Sequence, residues 1–441
     1  MTSVSDGAPA VAATDSRPPS GGRLRPLLRG LQLPAWSVVQ MAVQMGVALL
    51  SARWLGPGDR GDLVLATTVA TLMLLLSSLG AGLASRVVLA EPGRWWTWSR
   101  YLGLSALLTV PHIVLSATVG LAVVLQLSTN GTDIALPFVV YSATALSAHL
   151  LREGLHGLGR HRTTMAVDVA GASTQLLLIA GLHAGGILTP ATALYAGAVA
   201  YAGSITVQVL VGRAADAQGR GRPRVGAAEW WGEARAFLSI SRFALVAALG
   251  QSFVVNGDRL VLGAAGSSAQ VGIYAAASSL AQVAWVAPVA LAPMLTRRVA
   301  EAGTLVPWRH MYPRVLALTG VLAVAVACLG WFVIPILLGD AFTPARDVLP
   351  ILCAAALPYA GYQVDAAACA GLRDLRTGAL GALVGCLALV AATTAGYHAF
   401  DTAGIAWGVL LAYVVMAGVS RWRVARHRSR VTNGTSREER P

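Results

Sequence analysis

The chain has 441 residues, of which 56% are hydrophobic and only 12% are charged. Soluble domains carry about 25% charged residues, so this composition excludes a soluble enzyme, a disordered chain and a collagen-like fibre. The formal net charge is +13, and all 33 basic residues are arginines. The four cysteines lie in apolar stretches, and their spacing indicates neither a zinc site nor a disulfide framework.

The apolar residues form twelve long runs, each long enough for a membrane-spanning helix of about 20 residues. The predicted spans are 35–54, 62–89, 101–126, 135–158, 164–183, 190–212, 237–264, 268–296, 312–338, 346–371, 377–397 and 402–421. We therefore predict an all-α integral membrane protein.

Arginines alternate between the two sides of this predicted topology. Both tails and the loops after spans 2, 4, 6, 8 and 10 are rich in arginine, whereas the opposite loops contain only Arg53, Arg60 and Arg346. Because cytoplasmic loops carry an excess of positive residues, we predict a multi-pass protein of the bacterial plasma membrane with both termini in the cytoplasm.

The chain also divides into two similar halves. The predicted parts are a disordered basic cytoplasmic tail, a first six-helix bundle, a cytoplasmic linker, a second six-helix bundle and a basic cytoplasmic tail, over residues 1–33, 34–212, 213–236, 237–422 and 423–441. Gly157-Leu158 and Gly371-Leu372 close the fourth span of each half. Each half has an even number of spans, so we expect a pseudo-two-fold axis along the membrane normal.

No pattern of catalytic chemistry accompanies these spans. The sequence has no phosphate-binding loop with a lysine and no His, Cys and Glu cluster with metal-ligand spacing. We therefore expect neither an enzyme nor a cofactor nor a bound metal, and function must depend on polar groups at membrane depth. The candidate substrate-binding or cavity-lining residues are Gln40, Gln44, Arg86, Gln251, Asn256, Asp258, Arg259 and Gln282.

Simpler roles compete with function at several of these positions. Arg86 lies near the end of span 2, where a long side chain can extend to the lipid head groups. The glutamines could equally form hydrogen bonds between helices. Asp168 and Asp365 lie toward the predicted cytoplasmic side, where structural pairing with arginine is the simpler interpretation.

Asp258 and Arg259 are harder to explain in this way. Adjacent residues on a helix point about 100° apart, so the two cannot simply neutralise each other. Asp258 lies six residues before Ala264, the predicted end of span 7. We expect it to face a cavity or the interface between the bundles, paired with an arginine or with polar groups of spans 1, 2 or 8.

Several short segments resemble those of polysaccharide transporters. The segments are RWLGP at 53–57 followed by Gly61, DRLVLG at 258–263, VGIYAA at 271–276, LGDAF at 338–342 and GIAWG at 404–408. In this order and spacing they resemble the O-antigen and lipid-linked oligosaccharide flippases of the multidrug/oligosaccharidyl-lipid/polysaccharide flippase superfamily. The resemblance covers roughly residues 35–420, and the chain lacks the additional C-terminal spans that many members carry.

The resemblance implies two six-helix bundles around a cavity lined by spans 1, 2, 7 and 8. It implies that a polyprenyl-pyrophosphate-linked oligosaccharide moves from the inner to the outer leaflet by alternating access of the bundles. The implied partners are this lipid-linked oligosaccharide, membrane lipid, and a glycan polymerase or glycosyltransferases, with no role for nucleic acid. Two alternatives stay open: a cation-coupled multidrug exporter of the same superfamily, and a non-transporting membrane scaffold for polysaccharide enzymes.

Overall fold

The computed structural model describes residues 24–90, 96–217, 226–374 and 376–438, which form helices and no strand. The part of the predicted disordered tail before residue 24 lies outside the described residues. The helices are α1 Leu24–Ser77, α2 Ala81–Val88, α3 Trp98–Leu115, α4 Leu121–Leu127, α5 Gly131–Gly157, α6 His161–Ala184, α7 Pro190–Ala217, α8 Ala227–Ala265, α9 Ser268–Ala281, α10 Val286–Ala302, α11 Val306–Val333, α12 Ala345–Gly371 and α13 Arg376–Glu438. Short π or 3₁₀ turns join α3 to α4 and α9 to α10 and extend α11 to Leu338.

Two of these helices each contain a sharp reversal of the chain. Gly56 has φ 75° and ψ 173°, and Arg60 donates a hydrogen bond to Ser51. A straight helix would separate residues nine apart by about 13 Å along its axis, so the chain turns back at Gly56. In α13 the break lies at Phe400 and Asp401. With these breaks the helices supply the twelve predicted spans.

The apolar character of the spans agrees with this count. Among the described residues, eight helical stretches are long and apolar enough to cross a membrane. Two of them, Val38–Ser77 and Arg376–His427, contain the breaks and so hold two spans each. The more polar α8 and α12 complete the twelve.

The helices form two six-helix bundles, the first from α1–α7 and the second from α8–α13. The repeat noticed in the sequence has a structural counterpart. A Cβ on Gly157 would lie 2.3 Å from the carbonyl oxygen of Ser85, and one on Gly371 would lie 2.7 Å from that of Thr296. Gly157 therefore packs the fourth span of the first half against α2, and Gly371 packs that of the second half against α10.

The connections lie at two ends, which we name by their arginine content. The Arg-poor end holds the chain reversals near 56, 128–130, 185–189, 266–267, 339–344 and 400–401. The Arg-rich end holds the helix ends at Ser77, Gly157, Ala217, Ala302 and Gly371.

Helix boundaries differ from the predictions in three places. Span 2 ends at Ser77 instead of 89, because Leu79 and Gly80 adopt positive φ and separate the short helix α2. The predicted linker 213–236 is helical at both ends, since Ala234 and Phe237 of α8 are buried in the core of the first bundle. Helix also replaces the predicted tails over 24–33 and 423–438.

Candidate functional site

The Arg-poor end is closed by direct backbone contact between the two bundles. A Cβ on Gly61 would lie 1.7 Å from the carbonyl oxygen of Ser268, and a Cβ on Gly272 would lie 2.0 Å from that of Pro57. Only glycine permits this approach of α1 to α9. The segments at 53–61 and 271–276, which suggested the family resemblance, therefore pack against each other.

Asp62 stabilises this contact between the bundles through several hydrogen bonds. Its carboxylate is fully buried. It accepts hydrogen bonds from Ser268 Oγ at 2.5 Å and Thr129 Oγ1 at 2.9 Å. The backbone N–H groups of Thr129 and Asn130 also donate to it, both at 3.1 Å. We call Pro57, Gly61, Asp62, Ser268 and Gly272 the inter-bundle seal.

Arg53 adds a third contact between the bundles at this end. Its Nη1 donates to the carbonyl oxygens of Ile336 and Leu337 at 2.8 and 2.9 Å. These carbonyls lie in the π turn that ends the α11 span, where the last carbonyls of a helix lack intrahelical partners. The LGDAF segment follows directly, so a third resembling segment lies beside this end.

Asp258 and Arg259 lie beside the seal, where α8 meets α9. Asp258 is 3% exposed. It accepts a hydrogen bond from the Tyr274 hydroxyl at 2.6 Å and another from the backbone N–H of Arg259 at 2.9 Å. Tyr274 belongs to span 8, one of the elements from which we expected a partner. The Arg259 side chain donates instead to Ser278 Oγ at 3.3 Å.

Arg60 brings a second guanidinium to this region from the first bundle. It is 9% exposed and donates from Nη1 to Ser51 Oγ at 3.0 Å. It lies near enough to Arg259 for the two positive charges to repel each other. The Nε groups of both arginines are buried without an acceptor among the described residues. A buried arginine of the first bundle and a half-buried arginine of the second thus interact with each other, and Arg259 also interacts electrostatically with the Asp258 carboxylate.

Sequence analysis did not select Arg60 or Asp62. Arg60 was assigned to the loop between predicted spans 1 and 2, and Asp62 lies at the boundary of that loop with predicted span 2. Their nearness to the resembling segment was the one sequence signal that could have identified them.

A separate polar cavity lies inside the first bundle. Its volume is about 350 Å³. Its polar lining comes from α1, α5, α6 and α7 and includes Gln40, Gln44, His149, Arg152, Asp168, Gln175, Tyr201, Ser204 and Gln208. Gln40 and Gln44 thus line the same cavity, and this cavity lies within the first bundle. A cavity with both Arg152 and Asp168 can accept a polar or charged guest.

Aromatic rings pack against one another in the second bundle. Trp285 lies 4.5 Å from Tyr359, and Tyr359 lies 5.0 Å from Tyr413, measured between ring centroids. Gln251 donates to the Tyr359 hydroxyl at 3.3 Å. Aromatic rings and a glutamine thus pack together inside the second bundle.

The remaining candidates lie apart from these groups. Arg86 is exposed on α2 at the Arg-rich end and forms an ion pair with Glu153, a residue that sequence analysis did not select. Asn256 donates to the Ser252 carbonyl oxygen at 3.0 Å within α8. Gln282 begins the 3₁₀ turn that follows α9.

Asp365 is buried at the Arg-rich end and is paired there with a tryptophan and an arginine. Trp308 Nε1 donates to its Oδ1 at 2.9 Å, and Arg421 Nε lies 3.4 Å from its Oδ2. The sequence favoured pairing of this carboxylate with an arginine, and the structure supplies one from span 12.

One group of side chains has the donor types of a metal site. Ligand atoms of Cys369, Asp374 and His427 lie within 4.8 Å of one another at the Arg-rich end. The spacing of these residues along the chain gave no sign of this cluster, because α13 must cross the bundle twice before His427 reaches Asp374.

No model of a known protein family matches the chain, and no curated protein matches it. Solved structures do share its fold. A multidrug resistance MATE family transporter of the MOP superfamily in an inward-facing conformation has a TM-score of 0.67, at 15% identity over 89% of this chain and 99% of that one. The lipid II flippase MurJ in an inward closed conformation also has a TM-score of 0.67, at 9% identity over 90% of this chain and 87% of that one.

A third similar structure is the MATE multidrug transporter DinF-BH, with a TM-score of 0.65 at 15% identity over 92% of this chain and 96% of that one. All three are transporters. The chain therefore has the fold of MOP-superfamily transporters, which confirms the predicted two-bundle architecture.

Proposed function

We propose that this protein is a flippase that moves a polyprenyl-pyrophosphate-linked oligosaccharide across the membrane. The observation that supports this proposal is the pair Arg60 and Arg259, a buried and a half-buried arginine contributed by different bundles. Each donates to a serine hydroxyl, and their Nε groups have no acceptor among the described residues.

The Asp258 carboxylate can offset only one of these two positive charges, so the pair is costly unless it also serves an anion. A buried charge without a paired countercharge costs several kcal/mol or shifts its protonation. Guanidinium groups match the geometry of phosphate oxygens and bind them through two parallel hydrogen bonds. A pyrophosphate bound at the closed end would offer the two guanidinium groups more acceptor oxygens than Ser51 and Ser278 offer. It would also contact both bundles at once.

The location of this pair also suits alternating access. Arg60 and Arg259 lie directly behind the inter-bundle seal, so parting of Gly61 from Ser268 and of Pro57 from Gly272 would expose a bound anion at the Arg-poor end. The sugar head group would occupy the cavity that the family resemblance implies between the bundles, and the polyprenyl tail would stay among the lipids, because sugars and phosphates cross hydrocarbon only at high energetic cost.

We propose that the Arg-rich end faces the cytoplasm and that both termini are cytoplasmic, following the arginine distribution. Transport then runs from the inner to the outer leaflet of a bacterial plasma membrane. Glycosyltransferases on the inner side and a glycan polymerase on the outer side are the partners that such a substrate would require.

The orientation can be tested with single cysteines in a background lacking the four native ones. Cysteine at Asp133, exposed at the Arg-poor end, should react with a membrane-impermeant thiol reagent in intact cells, and cysteine at Thr304, exposed at the Arg-rich end, should react only after lysis. The reverse pattern would contradict the orientation.

A cation-coupled multidrug exporter is the second candidate. Asp168 favours it, since this carboxylate lines a cavity of about 350 Å³ in the first bundle. Arg152 lines the same cavity and lies near enough to interact electrostatically with Asp168, which leaves less negative charge for a cationic guest. A scaffold without transport is the third candidate and would have no need of Arg60 or Arg259.

Binding of polyprenyl pyrophosphate to the purified protein tests the proposal. Arg60→Gln and Arg259→Gln should each weaken binding about tenfold or more, because a hydrogen bond to a charged group contributes about 1.5–3 kcal/mol and about 1.4 kcal/mol corresponds to a factor of ten. Arg346→Gln is the matched control, since Arg346 is at the same end but contacts the Trp331 ring. Equal binding by all three variants would contradict the proposal.

A further inference from the structure

Four glutamines line the polar cavity inside the first bundle, namely Gln40, Gln44, Gln175 and Gln208. Their amide groups lie among smaller lining residues, which leave room for a guest: Ala145, Ala148, Gly171, Ala172 and Ala200. The cavity volume is about 350 Å³, and sites for small ligands occupy about 300–1,000 Å³. The cavity is therefore large enough for a small polar group.

Two polar atoms of this lining are buried without a partner. Gln208 is 1% exposed, and its Oε1 accepts no hydrogen bond from the described residues. Arg152 Nη2 donates to His149 Nδ1 and to Glu153 Oε1, but the buried Nε of Arg152 has no acceptor among the described residues. Unpaired buried groups cost free energy, so the cavity favours a guest that donates to Gln208 and accepts from Arg152.

The charges of the lining indicate that this guest is neutral. Arg152 and Asp168 carry opposite charges and interact electrostatically. His149 adds no charge, because its Nδ1 accepts the hydrogen bond from Arg152 and therefore carries no proton. A cation would be repelled by Arg152 and an anion by Asp168. A hydroxyl group is uncharged and both donates and accepts hydrogen bonds, so a guest with several hydroxyl groups suits the cavity best.

The cavity is within reach of the two arginines of the proposed pyrophosphate site. Gln44 and Thr71 of α1 line the cavity and are exposed, so the cavity is accessible along this helix. The same helix carries Ser51, to which Arg60 donates. Ser51 lies seven residues after Gln44, which corresponds to about 10 Å along the helix axis. A short sugar chain attached to a pyrophosphate at Arg60 and Arg259 can span this separation.

We propose that this cavity binds one neutral sugar unit of the lipid-linked oligosaccharide, through hydrogen bonds from Arg152 and to and from Gln175 and Gln208. This sugar site rests on the proposed function, because the pyrophosphate bound at Arg60 and Arg259 brings the sugar to the cavity. The pyrophosphate contributes affinity that every such lipid shares. The cavity contributes the preference for particular sugars, since the amides can pair only with hydroxyl groups that are placed to meet them.

The test compares the binding of two lipids to the full chain in nanodiscs. One lipid is polyprenyl pyrophosphate, and the other is the same lipid carrying an oligosaccharide of neutral sugars. The wild type should bind the sugar-bearing lipid more tightly. In Gln208→Leu this gain in affinity should fall about two- to tenfold, the contribution of one neutral hydrogen bond, and the affinity for polyprenyl pyrophosphate should change little. The variant should fold, because it removes a buried oxygen without a partner among the described residues.

A second variant and a control accompany this comparison. Gln175→Leu alters another amide of the lining at a less buried position and should reduce the same gain. Gln126→Leu should keep the whole gain, because Gln126 is an exposed glutamine of α4 that does not line the cavity. An equal gain in all three variants would overturn the sugar site and leave the cavity to water, which polar cavities commonly hold.

The same measurements separate the sugar site from the proposed function. Failure of the wild type to bind polyprenyl pyrophosphate would contradict the proposed function, and the sugar site with it. Binding of polyprenyl pyrophosphate with no further gain from the sugar would overturn the sugar site alone. A cationic dye whose binding is lost in Gln208→Leu and Asp168→Asn, while both variants keep the gain from the sugar, would assign the cavity to a cation instead.

Discussion

The hydroxyl of Ser268 donates a hydrogen bond to Asp62 at 2.5 Å, joining residues 206 positions apart in the two bundles. Asp62 also holds the loop between α4 and α5 through Thr129 and Asn130. One buried carboxylate thus connects three elements at the Arg-poor end. Loss of its charge should weaken the inter-bundle seal without affecting either bundle core.

Asp62→Asn should therefore open the Arg-poor end more often. Leu65 is fully buried in the core cluster shared by α1 and the second bundle, so a cysteine there reports opening through its rate of thiol modification. We expect a rise of about tenfold or more, since the hydrogen bonds weakened involve a charged acceptor and contribute about 1.5–3 kcal/mol each. Asp133→Asn, an exposed acid at the same end, is the control. An unchanged rate in Asp62→Asn would show that the carboxylate does not hold the seal.

Gly272→Ala should open the same end by a steric route. The added Cβ would lie 2.0 Å from the carbonyl oxygen of Pro57, and backbone atoms cannot move aside cheaply. The cysteine at Leu65 should again react faster. Adding Asp62→Asn should then have little further effect, because both changes act on one contact. Gly203→Ala, where nothing lies within 4 Å of the added atom, is the control, and additive effects of the two seal variants would contradict a shared contact.

Asp258→Asn should keep the protein folded while reducing transport. The change preserves the shape of the side chain but removes the negative charge beside Arg259. That charge strengthens the hydrogen bond that Asp258 accepts from the Tyr274 hydroxyl at 2.6 Å. Transport per folded molecule should fall about tenfold in Asp258→Asn, since a hydrogen bond to a charged group contributes about 1.5–3 kcal/mol. Tyr274→Phe should also reduce transport per folded molecule. Both quantities should be measured on one preparation. Normal transport per folded molecule, with less folded protein, would instead identify Asp258 as a structural residue.

The stability contributed by Asp374 should depend on pH. Burial alone would raise the pKa of this carboxyl, but hydrogen bonds from His427 and Thr377 and the charge of Arg423 outweigh burial and lower the pKa below its usual value of 3.8. Asp374 lies between α12 and α13, outside the spans. The lowered pKa stabilises the folded state above about pH 3.8, and this stabilisation is lost as the pH falls through the folded-state pKa.

The melting temperatures of wild type and Asp374→Asn in detergent give the measurement. The wild type should melt higher at neutral pH, and the difference should shrink once pH falls below 3.8. A difference that stays constant over this range would show that the carboxylate charge does not contribute.

The fold was predictable because hydrocarbon thickness imposes one simple requirement on every span. Continuous apolar runs predicted the twelve spans, and Gly56-Pro57 marked one reversal. The break at Leu79 and Gly80 was missed, since a positive φ within an apolar run has no signature in hydropathy. The helical ends of the linker were missed as well, because Ala234 and Phe237 are buried only after the chain returns to the first bundle.

The site was only partly predictable, because its contacts join residues far apart in the chain. Intramembrane charge identified Asp258 and Arg259, and Tyr274 is 16 residues from Asp258. Arg60 was assigned to the loop between predicted spans 1 and 2, and Asp62 lies at the boundary of that loop. Thr129 is 67 positions and Ser268 206 positions from Asp62, and local pattern cannot reveal such pairs.

Reconstituted transport tests the central claim most directly. Proteoliposomes containing the full chain should move a polyprenyl-pyrophosphate-linked oligosaccharide between leaflets, as measured by accessibility of the sugar to an added lectin. Arg60→Gln and Arg259→Gln should slow this movement about tenfold or more, and Arg346→Gln should leave it unchanged. A protein that leaves the oligosaccharide in its original leaflet but exports a cationic dye, with equal rates for the wild type and both arginine variants, would contradict the account.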